Sequence, residues 1–185
     1  VIEVTEDVLK RIILSTSNGN ITISDKSFTD VTVDLLNGNI ELDKVQSKNA
    51  FVRTSRGNVK VIEGEYQGIE IVSMLGTILT DNLDAKSINI SSNGSVNIAL
   101  KAETEEATIN SNMGSINLSV PHGRELEGRL STVLGQINYP PELDARYMKQ
   151  QDIGFKELML VNNTDQAGMF LEVGTKVGSV TLHRS

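Results

Sequence analysis

The side chains that could do acid–base or metal chemistry in this chain are two histidines and a scatter of carboxylates. His122 and His183 lie far apart in the sequence without a ligand motif around either, and a zinc site needs several donors in close spacing. Glu103, Glu105 and Glu106 form an acidic run that could hold a cation weakly, although such runs usually belong to solvated turns. We therefore expect no metal site.

Three aspartates at strand ends are the remaining candidates for catalysis. Asp25, Asp43 and Asp81 each follow a short apolar segment, where an aspartate more often bonds a turn than acts as an acid. Polysaccharide lyases and hydrolases need convergent carboxylates or a basic cluster on one face, and no such column recurs here. A polysaccharide-active enzyme is a minor alternative. We expect a non-enzymatic protein with no catalytic residues, no cofactor-binding residues and no cofactor.

A glycine that returns at nearly constant spacing sets the frame for every other residue. The first six intervals are 19, 19, 19, 18, 20 and 21 residues. After each glycine come a polar residue, a β-branched residue, a variable residue and usually another apolar one. A fixed period of about 20 residues with this alternation is typical of stacked β architectures. The glycines are Gly19, Gly38, Gly57, Gly76, Gly94, Gly114, Gly135 and Gly178.

The residues after each glycine fall into columns. Side chains alternate across a strand, so the second and fourth residues face one way and the third faces the other. We expect the second and fourth to form the core: Ile21 and Ile23, Ile40 and Leu42, Val59 and Val61, Ile78 and Thr80, Val96 and Ile98, Ile116 and Leu118, Ile137 and Tyr139, Val180 and Leu182. The third should be mostly solvated: Thr22, Glu41, Lys60, Leu79, Asn97, Asn117, Asn138 and Thr181.

A second strand precedes each glycine. Its inward pairs are Ile12 and Leu14, Val31 and Val33, Ala50 and Val52, Ile69 and Ile71, Ile88 and Ile90, and Ala107 and Ile109. A column of small hydroxyls follows, which we expect to bond the backbone at a tight glycine corner. This column contains Thr16, Thr54, Ser73, Ser91, Ser111, Thr132 and Thr175, with Leu35 as the exception.

These columns predict an all-β fold, a single-stranded right-handed parallel β-solenoid, or β-helix. Each turn should have about 19 residues and two strands, and backbone hydrogen bonds should join turns stacked about 4.8 Å apart. Parallel connections are normally right-handed. The sequence predicts roughly nine turns.

The chain reads as one domain, 1–185. Regular turns cover 1–139, an irregular insertion or cap covers 140–168, and a final turn covers 169–185. Counting back 19 residues from Gly19 places Ile2 and Val4 in the core columns. We therefore expect the natural protein to continue upstream of residue 1.

One apolar feature is not explained by the core. The two residues before the corner glycine are polar in early turns and apolar in others: Met74, Leu75, Met113, Val133, Leu134 and Val177. We call these six residues the corner ridge. If segment 140–168 covers the ridge, as we expect, Tyr147, Met148, Phe155 or Leu158 should touch it and be buried. If the ridge is exposed, it is the best candidate docking surface.

Composition narrows the function further. The formal net charge of −7 disfavours binding to nucleic acid or anionic lipid. The absence of cysteine excludes a disulfide framework and a thiolate metal site, but it leaves the compartment open.

The best repeat copies, 16–23 and 54–61, resemble a bacterial adhesin-type β-solenoid domain family of unknown function. The likeness covers residues 1–139 and returns at 169–182. Members look like the YvlB-like, LiaG-like and LiaX-like envelope-stress proteins of Gram-positive bacteria. The resemblance implies a β-solenoid fold strongly and a function weakly, because the motif is structural.

Two functional hypotheses follow. The first is a non-enzymatic interaction module of the cell surface or envelope, linked to envelope stress or adhesion, with a protein or envelope component as partner. A location at the cell envelope or extracellular face is favoured over the cytoplasm. The alternative is a structural, self-associating solenoid, because strand edges at the ends of the stack could pair with another copy.

Overall fold

The β-branched alternation of the repeat folds as strands throughout. The computed structural model describes residues 8–150, 154–162, 164 and 168–185. The described residues contain seventeen strands and no helix, and so no helix with the length and hydropathy needed to cross a bilayer.

The first nine strands are β1 (Val8–Asn18), β2 (Ile21–Ser24), β3 (Ser27–Asn37), β4 (Ile40–Asp43), β5 (Gln46–Arg56), β6 (Val59–Ile62), β7 (Glu65–Ser73), β8 (Ile78–Ser92) and β9 (Val96–Leu100). The remaining strands are β10 (Glu106–Ser111), β11 (Ile116–Val120), β12 (Leu126–Leu134), β13 (Ile137–Asn138), β14 (Ala145–Gln150), β15 (Lys156–Leu160), β16 (Met169–Val177) and β17 (Val180–Arg184).

Six turns follow one another from β1 to β11, each made of one strand before the corner glycine and one after it. The strands before the corner pair in parallel to form a first sheet, β1, β3, β5, β7, the later part of β8, and β10. The strands after the corner form a second sheet, β2, β4, β6, the start of β8, β9 and β11. The expected parallel solenoid with a repeat of about 19 residues is therefore present.

The order of turns in space then departs from their order in the chain. β16 pairs in parallel with β10 on one side and with β12 on the other. β17 likewise lies between β11 and β13. The last turn of the chain is thus inserted between the turn of β10 and β11 and the turn of β12 and β13. We call residues 169–184 the inserted turn.

The far end of the first sheet carries an antiparallel hairpin. β15 pairs antiparallel with β12, and β14 pairs antiparallel with β15. The Lys156 ammonium, at the start of β15, donates to the carbonyl of Gly135 over 3.0 Å and to Oε1 of Gln136 over 2.6 Å. The described part of 140–168 therefore lies against the last turn of the stack.

The core lies between the two sheets, where the columns place it. All of the predicted inward pairs from Val31 to Ile109 are buried, and so are the second and fourth residues after the glycines from Ile40 to Leu118. Ile12, Leu14 and Ile21 in the first turn are only partly buried. Ile2 and Val4 lie outside the described residues.

The hydroxyl column bonds the glycine corners. Thr54 donates to the carbonyl of Gly38 and Ser73 to that of Gly57, each over 3.2 Å. Each hydroxyl thus ties its turn to the preceding corner, as expected of a small polar residue there.

One member of the hydroxyl column was predicted wrongly. Ser91 is exposed, and Ser92 is the buried hydroxyl that pairs in register with Ser73 and Ser111. The short interval of 18 residues before Gly94 comes from a residue missing between the hydroxyl and the glycine, so counting back from the glycine selects the wrong serine.

The count of turns is smaller than the sequence suggested. The described residues form six consecutive turns, the inserted turn, and the turn of β12 and β13. The expected count of roughly nine is not reached in them, and the right-handed sense of the turns stays a prediction.

Candidate functional site

The corner ridge lies just after the last buried side chain of the strands that precede the corner glycines. From the third turn onward a buried hydroxyl is the last inward side chain before the corner, and the residues that follow it project around the corner toward solvent. Thr132, for example, is fully buried, whereas Val133 and Leu134 are exposed. The ridge side chains are therefore held on a rigid strand end without taking part in the core.

Every ridge residue is exposed. The exposed fractions run from 40% at Val133 to 66% at Met113. Large apolar side chains grouped at one edge of a soluble protein mark interaction surfaces more often than isolated ones do.

The inserted turn makes part of the ridge continuous. Val177 pairs in register with Leu134 on one side, and its amide donates to the carbonyl of Asn112, next to Met113, on the other. Met113, Val177 and Leu134 thus lie on three neighbouring turns about 4.8 Å apart. Without the insertion Val177 would not lie between the other two.

The rest of the ridge is separate from that group. Met74 and Leu75 belong to the fourth turn, and the fifth turn places Asn93 between them and Met113. The sequence predicted one continuous ridge, so the structure corrects it to two apolar groups with one polar turn between them.

Cover by the segment 140–168 is not found in the described residues. Tyr147 and Met148 are themselves exposed, and Phe155 is half-buried. Leu158 is fully buried, but it lies on β15 opposite Leu130 of β12, where it extends the sheet and the core. The described residues of 140–168 therefore do not give the expected internal cover: the hairpin pairs with β12 at the end of the stack, and the ridge side chains stay exposed.

Sequence reasoning missed one residue of the surface. Leu36 is exposed and stands two residues before Gly38, in the same column as Met74. It lines a groove of about 470 Å³ together with Arg56, Met74 and Leu75. The column position was the signal that would have found it.

The ridge is almost free of charge. In the described turns, the positions between the hydroxyl column and the corner glycine hold two charged residues, Arg56 and Lys176. Both are positive, whereas the chain carries a net charge of −7. The corner positions themselves are consequently neutral to weakly basic.

The other candidates for chemistry remain surface residues. His122 lies in the loop after β11 and His183 on β17, and both are exposed. Insertion of the last turn places these two elements side by side, which their sequence separation concealed. The described residues nevertheless contain no group of three or more His, Cys, Asp or Glu side chains that could hold a metal.

The acidic run is tied to its neighbours. The ammonium of Lys86 lies 3.0 Å from the carboxylate of Glu105. That hydrogen bond, with the charges of Glu105 and Glu103, raises the pKa of Lys86. The hydroxyl of Ser87 donates to Glu106 over 2.6 Å. Two of the three carboxylates thus have partners on the preceding turn.

The corner aspartates divide between turn and strand. Asp25 has a positive φ of 52° and forms the second corner of its turn, as Lys44, Glu63 and Asn82 do in the next three turns. Asp43 and Asp81 each stand one residue before that corner, Asp43 as the last residue of β4 and Asp81 within β8.

Comparison with known proteins identifies one relationship. The family model described as Toastrack DUF4097 matches residues 1–180. No curated protein and no solved structure matches the chain.

Proposed function

The chain belongs to the Toastrack DUF4097 family, and from this premise we propose that it is a non-enzymatic interaction module that docks a partner on its corner ridge. The proposed setting is the bacterial cell envelope or the outer face of the cell, in adhesion or in the response to envelope stress. The resemblance of the repeat to envelope-stress proteins supports that setting.

The exposed ridge is the observation that carries the proposal. Met113, Val177 and Leu134 form an apolar group on three stacked strand ends. A binding surface on rigid strands loses little conformational entropy when a partner docks. Methionine and leucine side chains in such a group can adapt to the shape of the bound segment.

The charges favour one kind of partner. Arg56 and Lys176 flank apolar side chains on a protein that is otherwise acidic, and complementary charge assists association. We propose that the partner presents an apolar protein segment with a neighbouring acidic residue. A cationic peptide would meet like charges at the ridge.

The experiment compares capture from a bacterial envelope extract by immobilised wild-type chain and by Leu134→Glu. A charge at the centre of the apolar group should weaken capture about tenfold or more, as loss of an interface anchor does. Because Leu134 is 54% exposed, the free energy of unfolding should change by less than about 0.5 kcal/mol.

Asn18→Glu is the matched control. Asn18 holds the same position before Gly19 in the first turn, where the row is polar. Capture by this variant should equal that of the wild type. Equal capture by Leu134→Glu and wild type would overturn the docking role of the ridge.

A self-associating solenoid is the second candidate. Within the described residues, β1 and β2 pair on one side only, and the core beside them opens into a cavity of about 530 Å³ lined by Ile12, Leu14 and Ile21. Unpaired strand edges can pair with another chain. Light scattering of the full-length protein that stays monomeric as concentration rises would remove this candidate.

A further inference from the structure

The inserted turn fills a gap one turn wide between two parts of the same chain. On one side lie β10 and β11, and on the other lie β12 and β13. The gap therefore offers unpaired parallel strand edges on both sides until residues 169–184 enter it. Such edges are acceptor sites for an added strand.

The bonds that hold the inserted turn are those that Thr54, Ser73 and Ser111 make at their corners. Thr175 donates to the carbonyl of Gly114 over 2.8 Å, and Thr132 donates to that of Gly178 over the same distance. These repeat the hydroxyl-to-glycine bond of the regular corners. Nothing in this pattern depends on whether the turn comes from the same molecule.

Two arginines hold the end and the outer face of the inserted turn. The Arg184 guanidinium donates to the carbonyls of Pro121 and Arg124, over 2.8 and 2.7 Å. Arg129 of β12 bridges Glu172 of the inserted turn and Glu157 of the hairpin, each over 3.0 Å. Residues 121–125 and Arg129 precede the inserted turn in the chain, so the acceptor is complete without it.

The connection from the hairpin to the inserted turn is short. β15 ends at Leu160 and β16 begins at Met169, so eight residues join the hairpin to the inserted turn. Extended, they reach at most about 27 Å. If the turn were carried into an adjacent molecule, every strand pairing and hydroxyl bond would form again, because the second copy offers the same partners.

We propose that the inserted turn exchanges between two copies of this chain, giving a dimer in which each gap holds residues 169–184 of the other copy. Exchange of an identical element is a low-cost route to a dimer because the contacts are conserved. The exchange also joins two corner ridges, since each would contain Val177 of the partner subunit between Met113 and Leu134.

The test uses cysteine pairs, because the chain has no cysteine of its own. Asn117 and Thr181 face outward at paired positions of β11 and β17, at a spacing that a disulfide can bridge. Full-length Asn117→Cys and Thr181→Cys variants, one with a mass tag, are refolded together at high concentration and oxidised. The exchanged dimer predicts a disulfide-linked heterodimer with the sum of the two masses.

Thr22→Cys mixed with Thr181→Cys is the matched control, since Thr22 lies in the same outward column but on the first turn. The double variant Asn117→Cys/Thr181→Cys, refolded when dilute, should close its disulfide within one molecule. If that disulfide does not close, the same experiment is repeated with Glu106→Cys and Phe170→Cys, which are paired between β10 and β16. Heterodimer no more abundant than in the control mixture overturns the exchange.

Discussion

At the scale of single residues, the corner glycines stack directly on one another through the whole molecule. A Cβ added at Gly38 would overlap the carbonyl oxygen of Gly19, and one added at Gly135 would overlap that of Gly178. The ladder runs through Gly114, Gly178 and Gly135 in that order, so it follows the turns in space. The repeat keeps glycine because the backbones approach too closely for any side chain.

Gly38→Ala tests this close approach. The new methyl group would meet the backbone of the preceding corner, and φ at Gly38 is 136°, which alanine rarely adopts. We expect a loss of more than about 3 kcal/mol in the free energy of unfolding, measured by urea denaturation. Gly68→Ala is the control, since a Cβ there meets nothing within 4 Å. Equal losses in the two variants would contradict the stacking.

Tyr66 predicts a dependence of stability on alkaline pH. Its buried hydroxyl has no hydrogen-bond partner among the residues that the structure describes, and burial raises its pKa. The unfolded chain therefore loses this proton first, so stability is full below the unfolded value of about 10 and falls as pH rises above it. In Tyr66→Phe this loss should shrink, and stability at pH 7 should be unchanged or higher. A fall as steep as in the wild type would contradict the role of Tyr66.

At the scale of elements, the inserted turn is the part that the repeat could not foretell. Ile109, Val173 and Leu130 are paired on neighbouring strands in the order β10, β16, β12. The same inward positions would also be buried if β12 paired directly with β10. The interval of 21 residues from Gly114 to Gly135 fits either arrangement. Periodicity specifies which residues face inward and leaves open which turns are neighbours.

Arg184 should stabilise the inserted turn against local opening. Its two bonds to the 121–125 loop fix the end of β17, and removal of such bonds lowers the free energy of local unfolding. In Arg184→Ala we expect faster amide hydrogen exchange in β16 and β17, with β4 and β6 unchanged. Arg53→Ala, an exposed residue on β5, should leave all four strands unchanged. Exchange in β16 and β17 that is as slow as in the wild type would contradict this role.

At the scale of the whole molecule, the repeat predicted the parallel solenoid and its core through Leu118. The repeat did not predict the hairpin of β14 and β15, because that segment lacks the periodic pattern. Its antiparallel pairing depends on tertiary contacts with β12. The sequence predicted which six residues form the corner ridge. It did not predict that they are exposed, because their exposure depends on where the hairpin packs.

The most direct test of the docking role is methionine oxidation of the whole protein, free and with its captured envelope partner. The chain has five methionines, and oxidation follows exposure. Met74 and Met113 lie on the ridge, Met148 and Met159 are exposed on the hairpin, and Met169 is buried. We predict rapid oxidation of all but Met169 in the free chain, with Met113 protected in the complex and Met148 and Met159 still reactive. A slow Met113 in the free chain, or one equally reactive with the partner bound, would contradict the account.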